Sequence, residues 1–187
     1  KETRLTQSNI LMISPWPIHA DGGGSSLELR DPKSDNSVPE SWSESSNSDQ
    51  SEWVHYSYTM TAQVPTYTPT IRNFHELRLG LLDSGEVLID DVSVIEDPGG
   101  ANRELMQNGT FDAGNANYWR RIGTHKLSEV IDSEESPVLK IVASARMNYL
   151  NNLIETNLKS NGSWAPVKPG TDYQISFRAK WLKGTPQ

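Results

Sequence analysis

Period-two alternation recurs along this 187-residue chain, and no stretch sustains a helical period. A side-chain period of two belongs to strands, so that feature limits the fold more than any other. In "WVHYSYTMTAQV", Trp53, His55, Ser57 and Thr59 fall on one face, and Val54, Tyr56, Tyr58 and Met60 on the other. "HELRLGLL" groups Leu77, Leu79 and Leu81 opposite Arg78. After the turn at Pro169-Gly170, Tyr173, Ile175, Phe177 and Ala179 alternate with Gln174, Ser176, Arg178 and Lys180. Aromatic and β-branched residues, which suit a pleated half-buried surface, dominate these runs. In "EVLIDDVSVIE", Val87 and Ile89 share one parity while Val92 and Val94 share the other. The slip at Asp90-Asp91 predicts a β-bulge.

The second half continues in the same style. "ELMQNGTF" reads as a short strand into a turn, and "NYWRRI" and "SEVI" as short strands. "PVLKIVAS" is nearly continuous in apolar residues and predicts a strand buried on both faces, whereas "NLIETNLKS" fits either a strand or a helical turn. With 13 Gly and 11 Pro punctuating the chain, the pattern predicts an all-β, antiparallel β-sandwich. Residues 1–51 read as irregular. "DGGGSSLELRDPKSDNSVPESWSESSNSDQS" offers one strand-like run, "SSLEL", inside a polar connector.

Several functions are excluded. A net charge of -7 with scattered Lys and Arg argues against a nucleic-acid surface. No apolar run approaches the length of a membrane span, so membrane insertion is not expected. The chain contains 0 Cys, which removes disulfides, zinc–thiolate sites and cysteine nucleophiles. Its 4 histidines, His19, His55, His75 and His125, share no metal-ligand spacing, and His125 in "RRIGTHKLSE" reads as a solvated strand histidine. Glu129, Asp132, Glu134 and Glu135 cluster in one polar loop rather than across a cleft, so paired-carboxylate hydrolysis ranks last. Asn108-Gly-Thr and Asn161-Gly-Ser fit the glycosylation sequon. The chain begins at Lys1 and stops just after a strand pattern, and both ends read as cuts in a larger protein.

The segments carry a family likeness. "ELMQNGTFDAGNANYW" resembles the opening of jelly-roll carbohydrate-binding modules of families four and nine, and "VKPGTDYQISFRAKW" resembles their middle strand. "SEWVHYSYTMT" and "LRLGLLDSGEVLIDDVSVIE" resemble their later strands. The order is reversed, with the closing half at residues 52–97 and the opening half at 98–187. Either the chain is cut across two tandem modules, or residues 52–187 pack as one composite sandwich. The second is expected, because two half-sandwiches would each expose an apolar face and unpaired edges. "GGGSSLELRDPKSDNSVPESWSES" is similar to the tail of bacterial lamin-tail domains.

The resemblance implies a secreted or cell-surface bacterial protein that binds a glycan without catalysis and sits beside other domains of the same chain. The alternative is a structural or adhesive spacer with no sugar ligand. It also implies a structural calcium at the junction of the two halves. Asp90, Asp91 and Asp112 are the candidate ligands, since calcium takes carboxylate and carbonyl oxygens. Sugar rings stack on exposed aromatics, with polar side chains bonding their hydroxyls. Tyr149 and Trp164, in polar surroundings, are the candidates for stacking, with Arg146, Asn148 and Asn151 near them in sequence. Trp119 and Tyr173 are expected in the core.

Overall fold

The computed structural model describes residues 16, 17, 20, 25–45, 51–63, 74–146 and 151–184. Their strands are β1 (Leu27–Leu29), β2 (Trp42–Glu44), β3 (Val54–Thr61), β4 (Glu76–Leu79), β5 (Gly85–Glu96), β6 (Arg103–Glu104), β7 (Trp119–Ile122), β8 (Glu129–Ile131), β9 (Val138–Ala143), β10 (Leu153–Asn157), β11 (Lys159–Ser160), β12 (Ser163–Trp164) and β13 (Asp172–Lys183). The chain is all-β, with every strand pair antiparallel. "SSLEL" supplies β1, and β2 pairs with it from inside the stretch that reads as connector. The Trp42 indole N–H anchors the intervening loop by donating to the Asn36 carbonyl at 2.9 Å.

The larger sheet runs β3-β13-β5-β9-β8, with β6 added on β5, and the smaller sheet runs β4-β10-β7. Strands from before and after residue 98 interleave in both. β13 lies between β3 and β5, and β10 between β4 and β7. One core draws on both halves, with Val87, Ile89, Val92 and Val94 beside Leu105, Phe111, Trp119, Leu139, Ile141, Ile154 and Tyr173. Trp119 and Tyr173 are buried, as the resemblance implies. β9 buries Leu139, Ile141 and Ala143 on one face, while Lys140 and Val142 on the other are half-buried.

The parity slip in β5 is a bulge. Ser176 faces Ser93, but Arg178 already faces Asp90, so β5 spends one residue more than β13. Asp91 sits there at a φ of 51°. Before it Val87 and Ile89 face the core, and after it Val92 and Val94 do. A bulge sets two successive residues against one on the partner strand. Asp90 and Asp91 accordingly reach the same guanidinium, that of Arg178, at 2.8 Å each.

The "NGTF" turn locks the start of the second half onto the end of the first. Asn108 takes a left-handed φ of 56°, which Asn tolerates well. Gly109 follows where a Cβ would lie 1.9 Å from the Val92 carbonyl oxygen, so no side chain fits. The Val92 N–H donates to the Gly109 carbonyl at 3.0 Å, and Phe111 enters the core. Before this turn, in β6, Glu104 acts as a local cap. Its Oε1 accepts the backbone N–H groups of Val94, Leu105 and Met106 at 3.1, 2.9 and 2.8 Å, and its Oε2 accepts the Ser93 hydroxyl.

His125 is a correction to the sequence reading. It is fully buried, in a 3-10 turn spanning Gly123–His125. Its Nε2 accepts the Leu81 N–H at 3.0 Å, so the ring proton belongs on Nδ1, 3.1 Å from the Thr124 hydroxyl oxygen. The polar local sequence gives no sign of a partner 44 residues away. Burial holds the His125 pKa below its ordinary value. The unfolded chain therefore takes the proton first. The stabilisation is complete above the ordinary histidine range, near pH ~6.5, and is lost as pH falls through the lowered folded value. His125→Gln should lower stability by about 1–3 kcal/mol at neutral pH by disturbing a buried donor. The gap in melting temperature between wild type and variant should narrow on acidification. A gap that stays constant with pH would contradict this role.

Candidate functional site

Asn161 and Gly162, at φ values of 50° and 77°, form the two-residue turn between β11 and β12. Positive φ at both central residues is the type I′ hairpin geometry that Asn-Gly favours. The hairpin sets Lys159 directly opposite Trp164. Residues opposite one another in a ladder share a face, and the Lys159 ammonium lies 5.1 Å from the Trp164 ring centroid.

Tyr118 approaches the same ammonium from the turn before β7, with its centroid 6.0 Å away. Trp164 is 55% exposed and Tyr118 61%, so both rings offer area to a ligand. His75, just before β4, meets the Trp164 ring edge-on at 4.6 Å between centroids. The platform thus joins a residue of the 52–97 half to residues of the other half. Tyr118 also holds a φ of 73°, an unusual conformation for a bulky aromatic. Such strain persists where the surroundings impose it, and it concentrates at binding sites.

Polar groups extend the platform across the outer face of the smaller sheet. Glu155 of β10 lies opposite Arg78 of β4 and Arg120 of β7. Its carboxylate meets Arg78 Nε and Arg120 Nη2 at 3.0 Å each. Arg120 also donates to the Asn157 side-chain oxygen at 3.3 Å. Both arginine side chains are more than half exposed. Two ring faces beside fixed donors and acceptors suit a ligand with apolar CH faces and many hydroxyls.

Of the residues proposed from sequence to contact a ligand, Trp164 is in this platform. Arg146 and Asn151 are exposed. Asn151 lies at the Gly123 turn, where its carbonyl oxygen would be 3.1 Å from a Cβ added to Gly123. Asn148 and Tyr149 lie outside the described residues. Tyr118, His75 and Lys159 were not grouped with Trp164 by sequence. The Asn-Gly turn was the available signal, because it specifies the hairpin that pairs Lys159 with Trp164.

The candidate calcium ligands occupy different surroundings. Asp90 is 2% exposed, with Oδ2 on Arg178 and Oδ1 buried without a hydrogen-bond partner. Asp91 is half exposed and meets Arg178 through Oδ2. Asp112 is exposed, and its Oδ2 accepts the Thr110 hydroxyl at 2.7 Å. Glu135 adds a third carboxylate to Arg178 at 3.1 Å, and the guanidinium lies 5.1 Å from the Trp53 ring centroid. The hydrogen bond with Asp90, followed by that with Glu135, raises the Arg178 pKa further. Among the described residues no three His, Asp or Glu side chains converge as a metal-ligand group.

Comparison of the chain with protein-family models, curated proteins and solved structures finds no match. Among the described residues no helix is long and apolar enough to cross a membrane.

Proposed function

We propose that this chain is a non-catalytic carbohydrate-binding module of a secreted or cell-surface protein, with its ligand on the Tyr118–Lys159–Trp164 platform. One observation carries the reading: two exposed rings bracket Lys159, and Arg120 and Asn157, two residues along the chain from Tyr118 and Lys159, hydrogen-bond each other. The resemblance of "ELMQNGTFDAGNANYW" and "VKPGTDYQISFRAKW" to family four and nine modules supports it independently. The ring faces stack on the sugar, and Arg120 and Asn157 bond its hydroxyls.

Affinity electrophoresis in gels cast with single polysaccharides, backed by a glycan array, tests this reading. At least one polysaccharide should retard the wild-type chain. Trp164→Ala and Tyr118→Ala should each weaken binding by about 2 kcal/mol or more, as loss of a ring at an interface hot spot does. Tyr118→Gly separates function from packing, since glycine accepts a positive φ without strain. That variant should gain about 1 kcal/mol of stability while losing affinity. No retardation in any gel and no array signal would leave a structural or adhesive spacer as the better reading. The exposed strand β3 favours that second reading, because it ends its sheet and leaves backbone groups open to pair with another strand.

A further inference from the structure

We propose that two copies of this chain pair edge to edge through β3. The strand ends the larger sheet, and among the described residues its partner is β13 alone. All eight residues of β3 are exposed. Val54, Tyr56, Tyr58 and Met60 lie opposite Ala179, Phe177, Ile175 and Tyr173. They therefore share the core-facing side of the sheet, but the strand lies beyond the cover of the smaller sheet. Tyr58 is 67% exposed, and the Tyr56 ring has only Phe177 stacked on it, at 5.3 Å.

The backbone also points outward. Ala62 bonds through both its N–H and its C=O to the loop entering β13. Alternation then turns Met60, Tyr58, Tyr56 and Val54 toward β13, and it leaves the N–H and C=O groups of His55, Ser57 and Thr59 on the outer edge. Proteins ordinarily blunt such an edge with lysine, proline, an inward charge or a bulge. "VHYSYTMT" has no lysine, proline or acidic residue, and its register with β13 is unbroken.

Charge selects a second copy as the occupant. Across a two-fold axis each residue meets residues of the same strand, so charges on that strand would face their own kind. β3 carries no Lys, Arg, Asp or Glu in a chain where 22% of residues are charged. A two-fold centred on Ser57 pairs His55 with Thr59 along the outer edge. On the apolar side it pairs Tyr56 with Tyr58 of the second copy, and Val54 with Met60. Each chain has a net charge of -7, so added salt screens the long-range repulsion and strengthens the dimer.

Sedimentation equilibrium on the 187-residue chain across the micromolar range tests the proposal. The expected result is a concentration-dependent rise from the mass of one chain to that of two, steeper at higher salt. Ser57→Lys sets two ammonium groups at the axis and should stay monomeric at every concentration, with wild-type circular dichroism and melting temperature. Thr59→Lys, also exposed and on the outer edge, should do the same, and it replaces Ser57→Lys if that variant misfolds. A wild-type chain that stays monomeric overturns the proposal. So does a dimer that survives both lysines, or an assembly larger than two.

Discussion

Replacing Arg178 with alanine should lower folding stability by about 3–5 kcal/mol, because it strands a buried carboxylate without its counter-charge. Asp90 is 2% exposed and has its Oδ2 on the guanidinium at 2.8 Å. Asp91→Asn removes an exposed partner of the same arginine and should cost less than about 1 kcal/mol. The double change Asp90→Asn with Arg178→Met should cost less than Arg178→Ala alone, since no buried charge is left behind. Urea unfolding of the set measures all three. A loss below about 1 kcal/mol for Arg178→Ala would mean that the bulge does not bury Asp90. Calcium at this junction is our proposal, and Asp112→Ala tests it. With Asp90, Asp91 and Asp112 as the ligands, calcium should raise the melting temperature of wild type and raise that of Asp112→Ala much less. No rise in either protein across millimolar calcium would remove the metal from the account.

Phe111→Ala should cost about 3–5 kcal/mol, the usual range for deleting a buried ring. Phe111 is fully buried, 5.7 Å from the Trp119 ring centroid. The cavity would open where the "NGTF" turn meets β5, beneath Gly109 and Val92. The surroundings are poorly placed to collapse into it. The Trp119 indole N–H is held by the Asn108 carbonyl at 3.0 Å, and the Asn108 amide donates to the Asn115 carbonyl at 2.9 Å. Phe111→Leu keeps most of the volume and should cost clearly less. The urea midpoint should fall with an unchanged m value if only packing is lost. Equal stability of wild type and Phe111→Ala would contradict one shared core.

Local pattern carried much of the fold. Alternation located β13, β5 and β3, and the Asp90-Asp91 slip located the bulge, because strand parity is a property of neighbours in sequence. Pairing was harder to read, since it depends on residues far apart. Arg178 meets Asp90 across 88 positions, and Arg78 meets Glu155 across 77. His125 shows the same limit. A short polar segment looked solvated until the Leu81 N–H supplied a distant reason to bury it. β3 is legible as a strand, but alternation does not say that it ends its sheet. The platform lay between these extremes. Asn161-Gly-Ser fits a sequon in the sequence, and the Asn161-Gly162 hairpin geometry places Lys159 against Trp164.

Chemical-shift mapping on the isotope-labelled chain tests the central claim most directly, with an oligosaccharide of the polysaccharide that retards it in gels as the ligand. The backbone and ring signals of Tyr118, Lys159 and Trp164 should move together and saturate at one affinity, with those of Arg120 and Asn157 following. Shifts centred on residues 146–152, or spread along β3 with the platform unmoved, would contradict it.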